Sequence, residues 1–235
     1  MSRKRTVPLR YKPEPGWAKP YLSHWKERHR RMAEEEREAW QKAEKIGEPG
    51  LRQAYPSIPR APIRLLACPM SKAVNHGGLL RLAEAFRLER VELAPEADGC
   101  IDGSGARGSR ELQPHRWIPA ERAVKEARTD GLRIYGVTLA DGAKPLESVE
   151  WKFPCALVMG SEADGLPAEI VEACDETIAI PLYGLVTSLN VASAAALVVH
   201  AAMGAYVRQH PEFEPVRKES RELLGMPPAK YESPS

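Results

Sequence analysis

From Ile63 onward the chain alternates short apolar runs with helix-length segments, and this alternation narrows the possible folds more than any other property of its 235 residues. The runs are Ile63–Cys68, Arg90–Ala94, Leu132–Thr138, Cys155–Met159 and Thr177–Ile180, with a weaker one at Arg116–Ile118. Such runs, rich in aliphatic and β-branched residues, read as strands. The segments His76–Arg87, Ala120–Arg128, Ala168–Ala173 and Ser188–Tyr206 read as helices. Strands that alternate with helices pair in parallel, because a parallel pair needs a crossover long enough to carry a helix. A parallel sheet is then covered on both faces. The expectation is an α/β fold with a parallel sheet over residues 61–207.

The first sixty residues follow another logic. The net charge of +2 is an average of +7 over residues 1–60 and −5 over residues 61–235. Pro8, Pro13, Pro15 and Pro20 keep the start extended, whereas Tyr21 to Ile46 lacks Pro and Gly and reads as one charged helix. Trp17, Trp25 and Trp40 are interleaved with Arg and Lys there. Rings stack on bases while cations meet phosphates, so the stretch suits a nucleic-acid surface; rings that pin the extension to the main domain are the alternative. Residues 1–60 are read as a basic extension and 208–235 as a polar tail with a short helix near Arg217–Leu224. No apolar run reaches the roughly 18 residues of a membrane span. The best, Leu189 to Met203, is broken by Asn190, Ser193 and His200. Arg3, Lys4 and Arg5 precede no apolar stretch, so no secretory signal is expected. Cys68, Cys100, Cys155 and Cys174 show no paired spacing and are expected as free thiols with no metal, in a cytoplasmic protein.

Ligands of open α/β sheets bind beyond the carboxyl ends of the strands, and three loops there carry unusual residues. The first is Asn75-His76-Gly77-Gly78-Leu79-Leu80-Arg81, with Asn75 placed to cap a helix. Leu79, Ala83 and Phe86 form one helical stripe, and Arg81 lies roughly opposite it. Gly77 and Gly78 are expected to leave bare surface for a ligand. The second loop, Gly160-Ser161-Glu162-Ala163-Asp164-Gly165-Leu166-Pro167, has glycines suited to a tight turn and lacks the Lys-Ser/Thr pair of a phosphate loop. The third runs from Ile180 to Asn190 into an Ala-rich helix, with Ser188 as the expected N-cap. That helix is apolar on nearly every face, so one side needs a partner beyond the sheet, which argues for a subunit interface.

Taken together, NHGGLLRLAEAF, LVMGSEADGLP and IPLYGLVTSLNVASAAA resemble the three motifs of the SpoU/TrmH family of the SPOUT superfamily, RNA ribose 2′-O-methyltransferases, over roughly residues 62–206. The resemblance implies a C-terminal trefoil knot, S-adenosyl-L-methionine as cofactor, tRNA or rRNA as substrate, and a homodimer through the knot region and the helix from Ser188, with no membrane. It further implies that Gly160, Ile180, Leu189 and Thr138 contact the cofactor. Asn75, Arg81, Glu162, Ser188 and Asn190 would form the catalytic set. A guanidinium has the fixed donor geometry for the phosphate beside a target ribose, so Arg81 is assigned to phosphate and hydroxyl positioning before any role as base. Glu162 is expected to brace the loops or Asn75. His76 lies within the first motif as a possible substrate contact, and His115 and His200 read as structural. The family usually has glycine where this chain has Arg87, at a helix end. Two alternatives remain: a catalytically inactive RNA-binding relative, and a nicotinamide dehydrogenase, for which the GxGxxG spacing after the first strand is missing.

The charge split makes a direct prediction. Deleting residues 1–60 weakens RNA binding and flattens the dependence of log affinity on log salt, while cofactor affinity holds. RNA affinity unchanged by the deletion would refute it.

Overall fold

A computed structural model describes residues 55–70, 72–95, 109–161 and 164–227. The chain divides into two compact units, Met1–Tyr55 with Pro228–Ser235, and Pro56–Pro227. All described residues but Tyr55 belong to the second. The charged helix and tryptophans expected before residue 55 lie outside the described residues, as does Cys100.

Seven strands form one sheet: β1 (Ala61–Ala67), β2 (Leu88–Leu93), β3 (His115–Trp117), β4 (Arg133–Val137), β5 (Lys144–Pro145), β6 (Cys155–Met159) and β7 (Glu176–Ala179), ordered β3-β2-β1-β6-β4-β7-β5. Every pairing is parallel, with β1 in the middle of the run, Leu65 opposite Val91 of β2 and Leu157 of β6. Successive residues of a strand point to opposite faces, and the core divides accordingly. Leu65 and Leu157 join one buried cluster, while Leu66 and Val158 join the other. Both faces of the central strands are therefore dry, which is why their sequences run apolar without alternation.

Among the described residues six α-helices accompany the sheet: α1 (Ala73–Ala85), α2 (Ser109–Leu112), α3 (Ala120–Thr129), α4 (Ala168–Glu172), α5 (Val191–Gln209) and α6 (Lys218–Leu223). Helix α5 has 19 residues and is long and apolar enough to cross a membrane, which the broken run at Leu189–Met203 did not predict. Its Ala195, Val198, Val199 and Ala202 are fully enclosed in the same cluster as Leu65 and Leu79. Strand β5 and helix α2 escape a reading by periodicity because each spans only about one period of the pattern, too little for it to repeat.

Two cap assignments are corrected. Helix α1 begins at Ala73 with Lys72 at its N-cap and no side-chain cap bond, so Asn75 sits buried in the first turn rather than capping it. Helix α5 is capped by Asn190, not Ser188: the Asn190 Oδ1 accepts from the Ala192 and Ser193 amides at 3.0 and 3.3 Å.

The residue after α1 does more than end a helix. Arg87 has φ +54°, the left-handed region that favours glycine. Its guanidinium donates to the Glu214 carbonyl at 3.0 Å and lies 4.0 Å from the centre of the Phe213 ring. Phe213 in turn meets Tyr206 of α5 edge-on at 5.3 Å. Arg221, 4% exposed, ties Glu214, Pro215 and Pro227 together. Residues 213–227 thus form a strap held against the end of α1 by one strained arginine. Arg87→Ala is expected to lower unfolding stability by about 1–3 kcal/mol, from the lost cation–π contact and hydrogen bond. Urea unfolding measures it, and faster amide exchange should be confined first to residues 213–227. An unchanged midpoint would refute the clamp.

Candidate active site

Strands β6, β4 and β7 are adjacent and parallel, so their carboxyl ends open on one side of the sheet. Thr138 follows β4, Gly160 follows β6 and Ile180 follows β7. With Leu189, these residues line one cavity of about 430 Å³, a volume within the range of small-molecule sites. Ser188 also lines it, although both Ser188 and Leu189 are exposed on their outer sides. The structure therefore brings all four expected cofactor positions to one hollow, together with one of the expected catalytic ones.

The hollow is built largely from backbone. After β6 the chain folds back on itself: the Ser161 amide donates to the Gly165 carbonyl at 2.9 Å, and the Gly165 amide returns to the Ser161 carbonyl at 3.3 Å. Gly165 takes φ +71° to allow it. A Cβ on Gly160 would lie 2.3 Å from the Gly165 carbonyl carbon, so only glycine lets the two limbs approach. Glu162 lies in this loop but outside the described residues. Around the opening, Thr138 donates its amide to the Ile178 carbonyl at 2.9 Å, which fixes the rim between β4 and β7.

Beside the hollow, two distant parts of the chain meet. The Asn190 side-chain Nδ2 donates to the side-chain Oδ1 of Asn75 at 3.0 Å. Asn190 is thus both the cap of α5 and the bridge to α1, a double use that the sequence reading missed. An Asn placed directly before an unbroken apolar helix was the available signal. Gly78 supports the same junction: a Cβ there would stand 3.2 Å from the Ala192 Cβ. The expectation of bare surface at Gly77 and Gly78 is therefore corrected, since Gly77 is buried and Gly78 admits the first turn of α5. His76 is also buried, edge-on to Trp117 at 5.0 Å, which removes it from direct contact with substrate.

Arg81 lies two turns along α1 from Asn75, with Leu79, Leu80 and Ala83 turned into the core. Its own side chain is exposed and forms no hydrogen bond or ion pair with the described residues. An exposed guanidinium with no fixed countercharge among the described residues is suited to meet an anion. The nearby thiols are chemically quiet. Burial pushes Cys68 and Cys174 up to about 11, so both stay protonated at neutral pH. No cluster of metal-ligating side chains occurs among the described residues.

Comparison with known proteins places the chain in a family and a fold. The model of the SpoU rRNA Methylase family matches residues 62–200, and the chain belongs to that family. A relative from Bacillus subtilis (strain 168), 23S rRNA (guanosine(2553)-2'-O)-methyltransferase RlmP, is 35% identical over 55% of this chain and 53% of its own length. The tRNA (guanosine(18)-2'-O)-methyltransferase of Escherichia coli (strain K12) is 30% identical over 62% of this chain and 69% of its own. The chain thus spans about half the length of the first of these relatives and two thirds of the second. Among solved structures, the A. aeolicus TrmH/SpoU tRNA modifying enzyme has the same fold, with TM-score 0.62 at 20% identity, over 74% of this chain and 93% of that one.

The Gly160 contact yields a test that needs no ligand. Gly160→Ala must displace the Gly165–Leu166 backbone, and overpacking of this kind costs about 1–3 kcal/mol. Chemical denaturation of the variant should show that loss, and wild-type stability would refute the tight return of the loop.

Proposed function

We propose that this protein is an S-adenosyl-L-methionine-dependent methyltransferase acting on a ribose 2′-hydroxyl of structured RNA, tRNA or rRNA, in the cytoplasm. The observation that carries this reading is the hollow at the ends of β4, β6 and β7, lined by Ser188 and Leu189 and followed directly in the chain by the Asn190–Asn75 bridge to the helix that carries Arg81. The relatives named as RNA 2′-O-methyltransferases supply the reaction class.

The residues present fit the methyl donor. Val137, Met159 and Leu182 offer apolar walls for a purine, and the hydroxyls of Thr138, Thr187 and Ser188 offer partners for a ribose. Gly160, Ile180 and Leu189 would hold the donor mainly through backbone. When bound, the donor supplies a methyl group on a positively charged sulfur. The chain's own task is then alignment, since an in-line displacement depends on holding two reactants in register. Arg81 meets the phosphate beside the target ribose and orients the hydroxyl. Asn190 fixes α1 against the hollow through Asn75, and Ser188 orders the rim. Glu162 braces the return loop.

The C-terminal segment is threaded as a trefoil knot in this reading. Support comes from the path of residues 180–190, which leave β7, border the hollow and return to α1 at Asn75. The active unit is a homodimer formed through this region and α5. Tyr183 and Leu185 are almost fully exposed, and Leu197 and Val207 on α5 are also open, an apolar surface of the kind that partners cover. Residues 61–207 carry the catalytic domain, residues 1–60 grip RNA, and residues 208–235 form the tail.

Arg81→Ala is expected to lower methyl transfer by at least about 100-fold, the scale of losing a charged transition-state contact, while the dissociation constant for S-adenosylmethionine moves by no more than a few-fold. Labelled donor incubated with total RNA and then RNase reads the first, and calorimetry reads the second. Lost donor affinity with normal turnover at saturation would overturn the assignment, and absence of RNase-sensitive label with the wild type would overturn the function.

A further inference from the structure

Resting on the reading of the hollow as a methyl-donor site, we propose that Asp164 is a specificity residue, whose carboxylate makes the site prefer the cationic donor to the neutral product left after transfer. Among the described residues that line the hollow, Asp164 alone is an acidic or basic residue; the others are aliphatic, glycine, methionine or hydroxyl residues. A lone charge in an otherwise neutral site sets its preference for ligand charge.

The loop geometry holds this carboxylate for that purpose. The Asp164 backbone amide donates to the Ser161 Oγ at 3.0 Å, inside the turn closed by the Ser161–Gly165 pair. The backbone is therefore anchored on both sides of the residue. The carboxylate itself accepts no hydrogen bond and enters no ion pair among the described residues. Several acids elsewhere in this unit are engaged, as Asp130 with Arg64, Asp175 with Arg128, and Glu92 with Arg90 and Arg116. Asp164 has no such partner among the described residues, and it lines the hollow where a small cation is expected.

The charge change is fixed by the chemistry. The donor carries a sulfonium, an ammonium and a carboxylate, net +1. In transfer, the methyl–sulfur bond breaks with its electron pair left on sulfur, the methyl–oxygen bond forms at the ribose, and the hydroxyl proton departs to water. S-adenosylhomocysteine is left with a neutral thioether and net charge zero. The attraction between Asp164 and the sulfonium is thus present before transfer and gone after it, which favours exchange of product for fresh donor. Asp164 is exposed, so water and salt screen it, and the effect is several-fold rather than many orders of magnitude.

The test is titration calorimetry on the full-length chain with S-adenosylmethionine and S-adenosylhomocysteine separately, without RNA. Asp164→Asn is expected to weaken donor binding about 3- to 10-fold and to change product binding by less than about 2-fold, while Asp164→Glu keeps the preference. Raising salt from about 20 to about 500 mM should shrink the wild-type preference toward that of Asp164→Asn. Equal weakening of both ligands would mean contact with a group they share and would overturn the proposal, as would no change in either. A wild-type protein that binds neither ligand would overturn the donor-site reading itself, and this inference with it. A thermal unfolding curve for Asp164→Asn matching the wild type assigns any lost affinity to charge rather than to folding.

Discussion

The hydrogen bond from Asn190 to Asn75 joins residues 115 apart in sequence, and the geometry of the site depends on it. Arg81 and Asn75 belong to the first helix, whereas Ile180, Ser188 and Leu189 belong to the last connection. Neither group is a site alone. The bond is partly buried, and Gly78 admits Ala192 closely beside it. Asn190 also satisfies two of the otherwise orphaned amides at the start of α5. One side chain thereby fixes a helix start and a helix–helix junction together, so the two cannot drift independently.

The hollow gains its shape from backbone packing that leaves little room for adjustment. Gly160 faces the Gly165–Leu166 backbone, and a Cβ on Gly136 would stand 2.7 Å from the Cys174 sulfur and 3.0 Å from Leu166. Strand β4, the loop after β6 and the end of α4 are therefore packed to contact at points where any side chain would intrude. A site assembled this way is formed before a ligand arrives, and less of the binding free energy is spent on ordering loops. Behind α1, the strap from Phe213 to Pro227 stiffens the helix that carries Arg81 from its other end.

Much of this was legible in the sequence, for identifiable reasons. The central strands are buried on both faces, and apolar runs such as Cys155–Met159 cannot be confused with exposed strands. Helix α3 carries its apolar residues on one stripe, where Ala123, Val124 and Ala127 are buried. The positions lining the hollow follow from the rule that strand ends carry sites, sharpened by the family motifs. What stayed hidden depends on contacts between distant segments. Nothing local marks Asn75 as a bridge rather than a cap, because its partner lies beyond the whole sheet. Gly78 reads as open surface until α5 is brought against it. Arg87 reads as an ordinary helix end, since its Phe213 and Glu214 partners come from a segment with no periodic signal. Asp164 drew no attention because acids in a turn are common, and its meaning depends on the uncharged character of the other described residues that line the hollow.

Charge distribution decides how such a body meets a polyanion. Residues 61–235 carry a net −5, and many of their arginines are already neutralised: Arg64, Arg90, Arg116, Arg122, Arg128 and Arg221 each lie against a carboxylate. An arginine so paired presents little field to a phosphate, because its nearest countercharge is fixed at hydrogen-bond distance. Arg81 forms no such pair with the described residues. It is thus among the cations of this body left without a fixed countercharge among the described residues, whereas residues 1–60 concentrate a net +7, the kind of charge that attracts a polyanion over a longer range.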